Sequence, residues 1–375
     1  MSTVSVVRCD SYDEEKVYTC LKKGLAVLGG VEKFVKKDES VLLKLNLLRN
    51  AKPDKAITTH PAVASAFSRI LFEEGYADVR AGDSSGYGSS VKVMKELGLG
   101  GPFEKYGVSM KEFREAVKKD FPEGIHAKTF MIASDVLEAD ALISVCKMKT
   151  HALEYITGAV KNQYGCIQGI NKAKGHTVYT SQESFAKMLI DLNRMLSPRL
   201  YIMDGITAME GNGPASGDPV KMNLMMISDD PVAVDRIFCH LVDLPYEIVP
   251  TVTFGEKEGL GEASFEKIEI LFDGEKVSPE ELYDALGHPG FNVERRVQKA
   301  SGFMNAVTWL RVFKRRPVVI AEKCTRCGRC VEVCPVPEKA ITFANGRDHP
   351  PVYNKKCLKC FCCQEMCPGG AIEHR

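Results

Sequence analysis

Two stretches decide how the chain is read: Cys324-Thr325-Arg326-Cys327-Gly328-Arg329-Cys330-Val331-Glu332-Val333-Cys334-Pro335, and Cys357-Leu358-Lys359-Cys360-Phe361-Cys362-Cys363-Gln364-Glu365-Met366-Cys367-Pro368. Both are C-x2-C-x2-C-x3-C-P. Three cysteines at a three-residue step put three thiolates on one tight loop, and the fourth, followed by proline, crosses to the other loop's cluster. The spacing therefore predicts two [4Fe-4S] clusters, the first held by Cys324, Cys327, Cys330 and Cys367, the second by Cys357, Cys360, Cys363 and Cys334. Structural zinc sites present separate cysteine pairs instead. A disulfide framework needs an export context that residues 1–10 do not suggest.

The flanks repeat as well. Ala340-Ile341 and Ala371-Ile372 follow the two Cys-Pro pairs at similar distances, as in a duplicated ferredoxin half, although 335–339 is a longer loop than 368–370. Cys362 is out of register as a ligand. It reads either as a small buried thiol or as a thiol that tunes or senses redox state. Upstream, residues 303–312 read as a short apolar helix containing Trp309, followed by Lys314-Arg315-Arg316-Pro317. Its two readings are a connector docked on the larger domain and a patch for a membrane surface or an acidic partner. Segments follow: residues 1–300, a linker over 301–316, and a ferredoxin-like domain over 317–375.

Composition bounds the rest. With 45% hydrophobic and 26% charged residues the chain is globular rather than disordered. A net charge of +1 with no dominant basic stripe gives no reason to expect a nucleic-acid partner. No apolar run approaches membrane-spanning length, and fourteen cysteines without an export signal suggest metal and redox use in the cytoplasm.

Taken in order, residues 4–7 read as a strand, and Ser11 with Glu14 as a capping box opening a helix that ends at Gly29-Gly30. Strands follow at 41–45 and 77–81, separated by a helix that starts at Pro61. Phe113, Val117 and Phe121 recur at helical spacing, so 97–124 reads as a helical excursion. Further strands at 141–146, 200–203, 222–227 and 268–272 alternate with helices behind Ser181 and Asp230-Pro231. The alternation predicts an α/β domain with a mostly parallel sheet flanked by helices, in one lobe or two, plus a small α+β ferredoxin-like domain.

In open α/β sheets ligands bind beyond the carboxyl ends of the strands. Those positions carry Lys44, Asn46, Asp83, Lys147, Lys149, His151 and Asp204, and nearby loops add His60, Lys161, Asn162, His176 and Glu210. Singly, each has a plain structural explanation, as a solvated side chain or a turn residue. Together, Lys147, Lys149, Lys161, His60, His151 and His176 could form an anion pocket for a carboxylate or phosphate, with Asp204 or Glu210 to move a proton. No phosphate-loop or dinucleotide fingerprint is present.

Thr59-His60-Pro61, Gly82-Asp83-Ser84, Lys147-Met148-Lys149-Thr150-His151, Lys161-Asn162-Gln163-Tyr164-Gly165-Cys166, Met209-Glu210-Gly211-Asn212-Gly213-Pro214 and Asp230-Pro231-Val232-Ala233-Val234-Asp235 together resemble the family called domain of unknown function 362. That family often carries a C-terminal ferredoxin module, and Cys360-Phe361-Cys362-Cys363 is also similar to it. The resemblance implies an α/β domain with a redox cofactor and assigns no reaction. The expectation is an iron-sulfur electron-transfer protein: a redox enzyme, or a component of one, passing electrons between a redox partner protein and a substrate or partner at the α/β domain. The alternatives are a ferredoxin-type carrier and a docking or regulatory iron-sulfur protein with no substrate of its own.

Overall fold

The computed structural model describes residues 1–86, 88–295 and 316–374. The helix and Trp309 expected at 303–312, and most of the linker, lie outside these residues.

Twelve strands form in the first part of the chain: β1 Ser2–Arg8, β2 Val41–Lys44, β3 Val79–Asp83, β4 Val108–Glu112, β5 Ala116–Asp120, β6 Thr129–Ala133, β7 Ala141–His151, β8 Tyr155–Thr157, β9 Leu200–Glu210, β10 Asp218–Ser228, β11 Ile268–Phe272 and β12 Glu275–Val277. The main sheet runs β12-β11-β1-β10-β9-β7-β2-β3-β4, with β8 paired to β7. The run from β9 to β4 is wholly parallel, as is the β1–β11 pair. β10 is antiparallel to both its neighbours. The sheet is mostly parallel and flanked by helices on both faces.

Burial follows the period of two that a doubly covered sheet requires. Along β2, Leu42 faces one core while Val41 and Leu43 face the other. The helices Glu14–Ala26 and Pro61–Glu73 bury Val17, Leu21, Leu25, Val63, Phe67 and Ile70 against the Leu43 face. The helices Gln182–Leu196 and Pro231–Leu241 bury Phe185, Leu189, Ile237 and Phe238 against the Leu42 face.

Three expectations need correction. Residues 97–124 contain only the short helix Gly100–Lys105 and then β4 and β5. Phe113, Val117 and Phe121 are spaced like a helix but fall beyond β4, on β5 and past its end, and pairing with β3 and β6 overrides the local pattern. The first helix is capped by Asp13, whose side chain accepts from Lys16 N, rather than by a Ser11–Glu14 box. β7 and β9 also run well past Cys146 and Met203, so Lys147, Lys149, His151 and Asp204 lie within strand extensions rather than on loops.

The C-terminal part is built on small antiparallel pairs. Pro317–Val319 pairs with Ile372–His374, and Ile341–Thr342 with Val352–Tyr353. Cys330, Cys334, Cys363, Ile341 and Ile372 form its small core.

Candidate functional site

The parallel half of the sheet reverses direction at the β2–β7 boundary. From β2 the chain builds outward through β3 and β4 on one side, and through β7 and β9 on the other. Such a switch point leaves a crevice beyond the strand ends. Here the crevice is a cavity of about 720 Å3.

Its floor is made where β2, β3 and β7 end. Lys44 Nζ lies 2.9 Å from Asp83 Oδ1, both buried, and Lys44 also donates to Leu45 O. Asp83 in turn accepts from the backbone N–H groups of Leu47 and Ser84 at 2.6 and 2.8 Å, so its charge is fully engaged. Gly165 packs directly on this pair, and a side chain at that position would collide with both partners. Asn46 joins the next two residues: its Oδ1 accepts from Lys149 Nζ at 2.8 Å and its Nδ2 donates to Asn162 Oδ1 at 3.1 Å. Lys149 makes a second hydrogen bond, to Ile57 O at 2.7 Å.

The opposite wall comes from the cysteine-rich domain, which contributes Glu332, Val333, Cys334, Pro335, Cys362, Glu365 and Met366. Several buried contacts hold it there. His151 Nε2 meets Glu365 Oε1 at 2.8 Å. Gln364, fully buried, donates to Asn212 Oδ1 and Gly213 O at 2.8 and 2.9 Å, and Asn212 Nδ2 donates to Ile372 O at 3.0 Å. The loop at 211–214 is thus the seat of the cysteine-rich domain.

Burial sets the protonation states. His151 Nδ1 accepts from the N–H groups of Leu153 and Glu154, which leaves the ring proton on Nε2 facing Glu365. Burial, reinforced by Lys161, holds the His151 imidazole down at about 4. Burial alone would raise the Glu365 carboxyl, but the His151 hydrogen bond and nearby cationic charge, Lys161 included, hold it below the usual range. Burial lowers the Lys149 ammonium to about 7, again reinforced by Lys161, and lowers Lys172 to about 8 against the opposing pull of Asp83. His176, stacked 4.6 Å from Phe185, is held down to about 4 by burial.

The predicted residues divide. Lys149, Lys161 and His176 line the cavity, and His151 sits at the seam with the cysteine-rich domain. His60, Lys147 and Asp204 do not line it; they form a second cluster around Tyr12, with Lys147 and Asp204 buried and Tyr12 and His60 half-buried beside another cavity. Lys147 Nζ is 2.7 Å from Asp204 Oδ2, Tyr12 donates to Asp204 Oδ1 at 2.9 Å, and the His60 ring stacks on Tyr12 at 3.4 Å. Every polar atom of Asp204 is engaged there, so this cluster braces the β7 and β9 extensions. Glu210, the last residue of β9, accepts from Asn292 N and ties that strand end to the segment at residue 292. Sequence reasoning missed Thr157, Lys172, Glu365 and Met366. Glu365 had one usable signal, because Glu332 holds the same place in the first cysteine run.

The cysteine loops share a backbone geometry. Arg326 and Gly328 in one, and Lys359 and Phe361 in the other, adopt left-handed φ values of 56°, 85°, 59° and 62°. Three of the four are not glycine, a strained choice that recurs at functional sites. Cys324, Cys327, Cys330 and Cys367 line one small cavity. Cys334 and Cys367, the last cysteine of each run, accept from Ala340 N and Ala371 N at 3.3 and 3.2 Å, a contact that stabilises thiolate charge. Four thiols lining one cavity, with N–H donors to Cys334 and Cys367, match the donor chemistry that a cubane takes.

Residues 41–240 match the family described as Domain of unknown function (DUF362), and residues 316–368 match a 4Fe-4S dicluster domain. The chain is 32% identical over 268 residues, 71% of its length, to the thylakoid-associated protein sll1697 of Synechocystis sp., covering 82% of that protein. Among solved structures it is similar to the lactate racemase apoprotein of Thermoanaerobacterium thermosaccharolyticum at a TM-score of 0.41 and 10% identity, over 60% of this chain. A protein of Thermotoga maritima gives a TM-score of 0.35 at 14% identity, also over 60% of this chain. The chain spans 54% and 57% of those two structures. Among the described residues no helix is long and apolar enough to cross a membrane.

Proposed function

Because the chain belongs to the DUF362 family and carries a 4Fe-4S ferredoxin-type domain, we propose that it is an oxidoreductase exchanging single electrons with a small molecule held in the strand-end cavity. Two [4Fe-4S] clusters are assigned, one to Cys324, Cys327, Cys330 and Cys367, the other to Cys357, Cys360, Cys363 and Cys334. A bound cluster supplies or accepts one electron at a potential set by its surroundings.

One observation carries the enzyme reading: Cys334, a ligand of the second set, lines the same cavity as Lys149 and Lys161. A docking platform without a substrate has no need to enclose such a space between its two domains. Cys327, of the first set, is solvent-exposed. We assign that end to a redox partner protein, and the cavity end to the substrate.

The chain's own residues have three tasks in this reading. Lys149 and Lys161 attract and orient an anion. The seam at His151–Glu365 and Gln364–Asn212 keeps the cysteine-rich domain closed over it and limits water. Lys149, with its proton held at about 7, can release or take up that proton near neutral pH.

The test is anaerobic. Reduced full-length protein with its iron and sulfide complement is mixed in a stopped-flow instrument with a panel of small anionic acceptors and with ferricyanide. Reoxidation by one or more panel members should saturate with concentration and slow at least about tenfold in Lys161→Met, while ferricyanide is unaffected. Reoxidation that never saturates and ignores Lys161 returns the simple carrier.

A further inference from the structure

The cavity's charge and hydrogen bonding point to a particular chemistry of occupant. Among the described residues six lysines line it, Lys44, Lys149, Lys161, Lys172, Lys174 and Lys339, against the three carboxylates Asp83, Glu332 and Glu365. Lys44 is spent on Asp83, and Lys339 donates to the carbonyls of Glu332 and Cys334. Lys149 uses two of its three ammonium protons on Asn46 and Ile57, and Lys172 uses one on Ser84 O. Lys161 makes no ion pair and no hydrogen bond among the described residues.

A second observation is independent of charge. Thr157 Oγ1 and His176 Nδ1 are buried and have no hydrogen-bond partner among the described residues, and both side chains line this cavity. Buried polar groups are nearly always satisfied, and an orphan that faces a cavity is satisfied by whatever fills it. Lysines placed only to offset thiolate charge at Cys334 would leave these two atoms unexplained.

Resting on the reading that the cavity holds the redox substrate, we propose that this substrate is bound by a dianionic head group, a phosphate or a pair of carboxylates, seated among Lys149, Lys161 and Lys172 with Thr157 and His176 completing its hydrogen bonds. Ammonium groups with unused protons favour an acceptor-only ligand of charge −2 over a neutral one. Glu365, already engaged with His151, and Glu332 stand on the opposite wall and keep the head group on the α/β side. A volume of about 720 Å3 exceeds a head group. Leu48, Pro214, Met366 and Cys334 line the same cavity, and the space left beside the head group takes a reducible or oxidisable body of the substrate.

The test uses the anaerobic full-length holoprotein and two probes, inorganic phosphate and malonate, titrated by calorimetry. At least one probe should bind saturably with one site per chain. Phosphate alone assigns a phosphate head group, malonate alone a dicarboxylate, and both together a general dianion site. Lys161→Met should weaken binding by about tenfold or more, and Thr157→Val by a few-fold, the size of one charge-assisted and one neutral hydrogen bond. Lys276→Met, an exposed change at the far edge of the sheet, should bind as the wild type does. Cluster absorbance should be the same in all four proteins, which shows that they are folded. No saturable binding to the wild type, or undiminished binding to Lys161→Met, overturns the proposal. Binding that depends on Lys161 while reoxidation in the stopped-flow experiment does not would overturn the electron-transfer role of the cavity and leave the head-group assignment standing.

Discussion

His151 Nε2 lies 2.8 Å from Glu365 Oε1, tying the end of β7 to the turn that carries Cys362 and Cys363. The imidazole is neutral and wholly buried, and its other nitrogen is taken by two backbone N–H groups. The contact is therefore a directed hydrogen bond to a carboxylate rather than a surface ion pair, worth on the order of 1.5–3 kcal/mol. His151→Phe should speed hydrogen exchange across residues 357–374 by at least about tenfold, with the sheet core unchanged. Glu365→Gln, whose amide oxygen can still accept, should recover much of the protection. Equal exchange in all three proteins would remove the latch.

The buried pair Lys147–Asp204 gives a stability prediction that is separate from function. Asp204→Ala leaves the Lys147 ammonium buried and unpaired and should cost about 3–5 kcal/mol in chemical denaturation. Lys147→Met with Asp204→Leu, which removes both charges, should cost clearly less. Because neither residue lines the cavity, the double variant should still bind the anionic probes with wild-type affinity.

Lys149 sets a pH dependence with a definite sign. Its ammonium is held at about 7, against 10.5 when free, chiefly by burial. Between those values the unfolded chain binds more protons than the folded one, so this group makes the fold more stable as pH rises from about 7 to about 10.5. Anion binding runs the opposite way, since the charged form is required. Affinity for malonate, which is already a dianion near neutral pH, should be highest just below pH 7 and fall through pH 7–8, and Lys149→Met should flatten that fall. A pH-independent affinity in the wild type would contradict it.

The two proposed ligand sets make a stoichiometric prediction. Cys324→Ala and Cys357→Ala each remove one ligand from a different set, and each should lower iron and sulfide to about half of the wild-type content. Cys362→Ala should leave both unchanged. A variant that loses all its iron, or none, would require the pairing of the sets to be redrawn.

Much of this architecture is legible in the sequence because it rests on local chemistry. The cysteine step, the alternation of apolar strands with capped helices, and the polar residues at or after the ends of the strands read at 41–45, 77–81 and 141–146 all point to a strand-end site beside a ferredoxin module. What escapes is set by tertiary contacts. Phe113, Val117 and Phe121 mimic a helix, but β3 and β6 pair with the strands β4 and β5 around them. His60, Lys147 and Asp204 look like Lys149 in sequence, but their side chains meet around Tyr12 instead of in the cavity. Glu332 and Glu365 occupy equivalent places in the two cysteine runs, yet Glu365 reaches His151, because the second run is the one that docks on the loop at 211–214. Nothing in either run announces which will dock.

The central claim is spatial: the iron-bearing domain closes the cavity. A nitroxide carried on a ketone-bearing amino acid in place of Lys174, at the cavity rim, reports this directly through its relaxation rate when the holoprotein is reduced to the paramagnetic state. A second label in place of Lys276, on the far edge strand β12, serves as the distant reference. Strong, reduction-dependent enhancement of relaxation at position 174 and little at position 276 is the predicted result; equal and weak enhancement at both would contradict the account.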